Sequence, residues 1–283
     1  MSRKKAKRKG SRARGPSSTS RGRLWAGLAG AAVLLLLGWY LWNGAYSGTA
    51  SDLPKAYRLE VLRRIPHDEK AFTQGLLWHA GKLYESTGRY GESSLRRIDP
   101  SQGQVEAVQP VEQDFFGEGL ARVGSELWML TWKSEQALIF DLESLQPQRR
   151  LSYRGEGWGL CNDGQRLIMS DGSHRLTFRD TRTFQVTGQV EVLMGGLPVR
   201  SLNELECVGD RVYANVWQRN VILIIDPDRG RVLGQVDALG LLSGREARNA
   251  DVLNGIAHDP SQDTFYLTGK LWPALFEVRF VEK

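Results

Sequence analysis

From residue 57 onward, short runs of Leu, Val, Ile, Tyr and Trp alternate with polar residues, and Gly, Asp-Gly and Asp-Pro turns separate them. A period of two predicts antiparallel strands, and helical periodicity is scarce. One stretch departs from this pattern. Residues 24–42, LWAGLAGAAVLLLLGWYLW, run 19 positions without a charge. As a helix that length spans about 30 Å of hydrocarbon. Trp25 stands at one end and Trp39, Tyr40 and Trp42 at the other, where aromatic rings favour a membrane interface. The expected organisation is a tail over 1–23, a transmembrane signal-anchor over 24–42, a polar linker over 43–56 and an all-β domain over 57–283.

The strands repeat as a unit. FTQGLLWHAGKLYESTG, FGEGLARVGSELWMLTW, GEGWGLCNDGQRLIMSDG, LNELECVGDRVYANVW and LNGIAHDPSQDTFYLTGK each read as strand, tight turn and second strand. Anchored on Leu83, Leu127, Leu167, Val212 and Phe265, the units fall 44, 40, 45 and 53 residues apart. A propeller blade of four strands occupies about 40–45 residues. The pattern therefore predicts a five-bladed β-propeller. The fifth unit ends after its third strand. Residues 57–62 alternate like a strand and are expected to supply the missing outer strand, so that no sheet edge is left raw.

The first strand of each blade should line the axis. Superposing the repeats puts Gln74, Glu118, Trp158, Glu204 and Asn254 at one equivalent position, with Gly following all but Glu204. A second equivalent position carries Trp132, Trp217 and Lys270. An amide, carboxylates, indoles and an ammonium on one rim describe a binding site rather than packing. Indoles suit a flat or cationic group, Gln, Asn and Lys suit an amide, and Glu118 suits proton transfer.

Charge changes the picture of where the domain works. The net +6 is uneven: ten Lys/Arg fall within residues 1–23, and no acid precedes Asp52. Removing those ten from the chain's 38 leaves 28 bases against 32 acids. The domain thus lacks the basic surface that nucleic-acid binding needs. A basic tail before an apolar span is expected to stay cytoplasmic, placing the domain outside the cytosol, in the periplasm or at the cell surface. Gly48-Thr49-Ala50 loosely resembles a cleavage site, but the apolar run exceeds a signal core of about 7–15 residues. The two cysteines, Cys161 and Cys207, belong to the exported part, where a disulfide is permitted and two buried thiols are the alternative.

Other candidate chemistry is weaker. His67, His79, His174 and His258 are scattered without metal-ligand spacing. Residues 88–91 and 155–159 are Gly-rich but lack the helix and Lys of a phosphate loop. Asp171 lies near the predicted rim, yet Asp171-Gly172 reads most simply as a turn. Glu118, Glu204 and Asn254 leave open a bound calcium, as in a lactonase-like hydrolase. A non-catalytic envelope propeller that binds peptides or cell-wall ligands is the other alternative.

HDEKAFTQGL (67–76), FFGEGL (115–120), LTWKSEQALIFD (130–141), GEGWGL (155–160), LNELE (202–206), NVW (215–217), LNGIA (253–257) and TGKLWP (268–273) together resemble the plant and bacterial type of glutaminyl-peptide cyclotransferase. The likeness runs in order across 57–283. It implies a five-bladed propeller distinct from the zinc-dependent animal enzymes of the same activity. Glu118 would be the catalytic glutamate. Gln74, Asn203 and Lys270 would contact substrate, and Phe72, Phe116, Trp132, Trp158 and Trp217 would wall the pocket. Cys161 and Cys207 fall where a disulfide is plausible in such proteins.

The implied reaction closes an N-terminal Gln to pyroglutamate and releases ammonia. Peptide or protein N-termini bearing Gln are the implied partners. No cofactor is required, a structural calcium remains open, and a monomer is expected. Glu118 would take the amine's proton and deliver it to the departing nitrogen. Burial among Phe116 and the tryptophans should raise its pKa, with Lys270 pulling the other way.

Overall fold

The computed structural model describes residues 53–283. The predicted basic tail and membrane-spanning helix lie outside the described residues. Among the described residues, no helix is long and apolar enough to cross a membrane. The domain is all-β. Strand β1 (Lys55–Pro66) opens it, starting two residues inside the segment that the sequence pattern assigns to the linker.

Three four-stranded antiparallel meanders follow. The first is β2 (Thr73–His79), β3 (Lys82–Thr87), β4 (Ser94–Asp99) and β5 (Gln104–Pro110). The second is β6 (Gly117–Val123), β7 (Glu126–Thr131), β8 (Gln136–Asp141) and β9 (Pro147–Ser152). The third is β10 (Leu160–Asn162), β11 (Leu167–Ser170), β12 (Arg175–Arg179) and β13 (Val186–Glu191). A small hairpin, β14 (Leu193–Met194) and β15 (Leu197–Pro198), precedes β16 (Leu202–Val208), β17 (Arg211–Val216), β18 (Val221–Asp226) and β19 (Arg231–Asp237). The chain closes with β20 (Leu253–Asp259), β21 (Thr264–Gly269) and β22 (Ala274–Glu282).

The last seven of these strands and β1 form the main path of one ten-stranded sheet, ordered β16-β17-β18-β19-β1-β22-β21-β20, which the β14–β15 hairpin joins through β14 beside β19. Strand β1 lies antiparallel along β22, from Tyr57 opposite Glu282 to Pro66 opposite Ala274, and touches β19 in parallel only over Lys55–Arg58. The N-terminal strand therefore completes the C-terminal one, pairing an edge that would otherwise template aggregation.

Burial follows strand position. Inner strands such as β7 (ELWMLT) and β18 (VILIID) are buried along nearly their whole length and read as continuous apolar runs. The outer strand β5 (QVEAVQP) alternates exposed and half-buried positions. The apolar faces pack between neighbouring groups of strands. Leu95, Leu127 and Phe140 fill one such space, Trp128, Leu167 and Phe184 the next, and Ile168, Leu205 and Leu223 a third. Ile224, Ile256 and Phe276 fill a fourth, and Ile65, Leu83 and Tyr266 join the last strands to the first. This radial, nearly closed stacking is that of a propeller.

The first strands β2, β6, β10, β16 and β20 contact one another in a ring. Close approach there depends on glycine. A Cβ on Gly75 would stand 2.6 Å from Leu120 N, and one on Gly119 2.5 Å from Leu160 N. The wide interval before the last repeat has a local cause: residues 238–252, with a 3-10 turn at Glu246–Arg248, are inserted between β19 and β20.

Candidate active site

Strands β2, β6, β16 and β20 each carry a bulge near the N-terminal end. Opposite β7, Gly117 pairs with Thr131 and Leu120 with Met129; opposite β17, Leu202 pairs with Val216 and Leu205 with Ala214. Glu118 therefore corresponds to Asn203, not to Glu204. This corrects the register expected from the repeats. Glu204 occupies the position held by Gly75, Gly119, Gly159 and Gly255 in the other units. Its carboxylate accepts the backbone N–H groups of Leu76 (3.2 Å) and Ile256 (2.9 Å), tying β16 to β2 and β20.

Phe72, Gln74, Phe116, Glu118, Trp132, Trp158, Asn203, Trp217 and Lys270 all line one cavity of about 470 Å³ at this end of the ring. Gln218, Asp251 and Val252 complete its lining. The loops bring these groups together. Trp132, Trp217 and Lys270 each follow a second strand at the same place. In the two remaining repeats that place is glycine, because a neighbour's ring needs the room. A Cβ on Gly88 would lie 2.3 Å from the Phe116 ring, and one on Gly172 2.7 Å from the Trp158 indole.

The cavity floor is polar. Asn254 donates from Nδ2 to Gln74 Oε1 (3.2 Å) and to the Thr73 carbonyl (3.0 Å). Gln74 in turn donates from Nε2 to Glu118 Oε1 at 2.9 Å. Ser86 Oγ fixes the Glu118 backbone by donating to its carbonyl at 2.6 Å. Glu118 is only 5% exposed. Burial pushes its carboxyl well above the usual range, Lys270 opposes that shift, and Glu156 adds to it. Burial likewise lowers the Lys270 ammonium, against the pull of Glu118 and Asp251. The side-chain oxygen of Asn203, a residue of the cavity lining, is buried without a protein hydrogen-bond partner.

The walls are aromatic. Phe72 meets Phe116 edge-on at 6.1 Å, Phe116 meets Trp132 at 5.6 Å, and Trp158 stands perpendicular to Trp217 at 5.7 Å. Lys270 Nζ lies 4.8 Å from the centroid of the Phe72 ring, a cation–π distance.

Other sequence candidates fall elsewhere. Asp171 is exposed, and its Oδ1 accepts the Ser173 N–H in a turn. His67 is buried against Glu85, Nε2 to Oε1 at 3.0 Å. Among the described residues, no three His, Cys, Asp or Glu side chains gather as a metal-ligating group. Cys161 and Cys207 form a disulfide between β10 and β16. Glu156, Asp251 and Gln218 lie at or behind the cavity, although the repeat pattern does not point to them.

A nearly closed all-β ring with an amide-, carboxylate- and indole-lined cavity at its axial end defines a propeller with an enzyme-like site. The chain belongs to the glutamine cyclotransferase family, whose model matches residues 34–280. It is 39% identical over 259 residues to a glutaminyl-peptide cyclotransferase of Arabidopsis thaliana, covering 89% of this chain and 80% of the relative. The crystal structure of Myxococcus xanthus glutaminyl cyclase superposes with a TM-score of 0.74 at 38% identity. That match covers 81% of this chain and 99% of the other.

Proposed function

We propose that this protein is a glutaminyl-peptide cyclotransferase, converting the N-terminal Gln of peptides and proteins to pyroglutamate with release of ammonia. The observation that carries the reading is the Gln74–Glu118 pair, buried beside Lys270 in an indole-walled cavity.

In the reaction the α-amine nitrogen attacks the side-chain amide carbon, forming the lactam bond while the bond to the departing nitrogen breaks. Because attack is intramolecular, its main requirement is a substrate folded back on itself, and the aromatic walls suit that task. An α-amino group with pKa near 8 has an appreciable neutral fraction at physiological pH. Glu118, ionised, accepts the proton that the amine sheds and passes it to the amide nitrogen, which leaves as ammonia. A carboxyl raised by burial and drawn back by Lys270 is suited to both halves of that transfer. Lys270 and Gln74 offer donors to the developing oxyanion, and the unpaired Asn203 oxygen offers an acceptor to the substrate amide.

The catalytic domain is a five-bladed propeller in this reading. The longer sheet divides where β1 meets β19 in a short parallel contact, giving two further units beside the three meanders. The domain is a monomer, held on the extracytoplasmic face of a membrane by the apolar segment 24–42. The basic tail before that segment and the Cys161–Cys207 disulfide support this location. The proton transfer needs no metal or other cofactor. Ammonia release from Gln-Ala in the presence of EDTA tests the activity and its metal independence together. No release with or without EDTA would overturn the assignment, and release abolished only by EDTA would show a metal requirement.

A further inference from the structure

The loop between β9 and β10 carries the Gly-rich run 155–159, which the reaction so far leaves without a part. Its charged member, Glu156, stands behind two walls of the cavity. The indole N–H of Trp132 donates to Glu156 Oε2 at 2.9 Å, and that of Trp158 donates to the same oxygen at 3.0 Å. The two indoles come from different loops, one after β7 and one before β10. The carboxylate is thus the shared anchor of two rings that face the same ligand space.

The loop is built to hold the carboxylate there. Gly155, with φ of +90°, donates its N–H to Glu135 Oε1 at 2.8 Å. Gly157 donates to the Trp132 carbonyl at 3.0 Å, and a Cβ on Gly157 would lie 2.2 Å from the Tyr153 hydroxyl. On its other side Glu156 faces Lys133, Nζ to Oε1 at 3.6 Å, and Lys133 lies 4.0 Å over the Trp132 ring. Burial pushes the Glu156 carboxyl up, but the indole hydrogen bonds and Lys133 outweigh it and keep the group ionised at neutral pH.

We propose that Glu156 is a positioning residue for the reaction, setting the orientation of Trp132 and Trp158 against the bound N-terminal residue. This rests on the cavity being the cyclisation site. Each indole N–H finds its acceptor only if the carboxylate reaches both. The rings contact the bound residue before and during the reaction, so disordering them weakens ground state and transition state alike.

Two variants separate reach from charge. Glu156→Asp keeps the charge but retracts it by one methylene, so both indoles cannot be held. Glu156→Gln keeps the reach and an acceptor oxygen but drops the charge. With Gln-Ala as substrate, Glu156→Asp should raise KM roughly tenfold with kcat within about twofold, the loss of about one charge-assisted hydrogen bond. Glu156→Gln should stay within about threefold of wild-type KM. Near-UV circular dichroism should change in the Asp variant and not in the Gln variant. A wild-type KM in Glu156→Asp, or equal losses in both variants, would overturn the positioning role while leaving the cyclisation reading intact. Absence of turnover by the wild-type protein would overturn both.

Discussion

Gln74 holds Glu118 from below: its Nε2 donates to Glu118 Oε1 at 2.9 Å, and its own Oε1 is held by Asn254. Three first strands thereby fix one oxygen of the carboxylate that the mechanism uses, leaving the other for the substrate. Gln74→Ala should keep the fold and lower kcat by roughly 10–100-fold, the scale of a misplaced proton-transfer group. Steady-state kinetics with Gln-Ala check this. An unchanged kcat would show that the orientation of Glu118 does not depend on Gln74.

Lys270 sets the pH range of activity. The influences that shift Glu118 are its burial, the Lys270 ammonium and the Glu156 carboxylate. Removing the ammonium in Lys270→Met leaves burial and Glu156 unopposed, so the Glu118 pKa rises further. The base form is then populated only at higher pH, and the acidic limb of the kcat profile should move upward. A limb that stays in place or moves down would contradict the pairing.

Much of this site is legible in the sequence alone. The spacing of the repeats and the unlike residues at their equivalent positions bring Gln74, Glu118 and Trp158 to one rim, and Trp132, Trp217 and Lys270 to the adjoining loops. The anchors place Asn203, not Glu204, level with Glu118, since Asn203 precedes Val212 by the same interval by which Gln74, Glu118 and Trp158 precede Leu83, Leu127 and Leu167, and the bulges in β6 and β16 are alike. Asp251 and Val252 carry no repeat signal because they lie in the 238–252 insertion, which has no counterpart in the other repeats. Glu156 carries no signal because its role depends on reaching the indole of Trp132 on another loop as well as that of Trp158 on its own.

The opposite end of the ring carries a titration of its own. Burial raises Glu206 to about 8, with backbone N–H groups of His258 and Cys207 pulling the other way. A folded-state pKa above the unfolded value, near 4.3, gives stability that is complete below the unfolded pKa and lost as pH rises toward 8. Glu206→Gln, which cannot ionise, should match the wild-type Tm near pH 4 and exceed it at pH 9. Thermal melts at both values check this, and equal Tm differences at the two would contradict it.

The Cys161–Cys207 disulfide joins strands of successive units across a separation of 46 residues. Replacing both cysteines by serine should cost about 2–4 kcal/mol of stability. Chemical denaturation checks the loss. Because the bond does not line the catalytic cavity, kcat at 25 °C should be unchanged. A fall in kcat without loss of stability would contradict the assignment of the bond to the scaffold alone.

Glu118→Gln bears most directly on the mechanism, because it removes the proton-transfer group while keeping shape and burial. Ammonia release from Gln-Ala should fall by about 10²–10⁴-fold, with near-UV circular dichroism unchanged and Tm no lower than that of the wild type. Turnover near the wild-type rate in a folded Glu118→Gln protein would contradict the account.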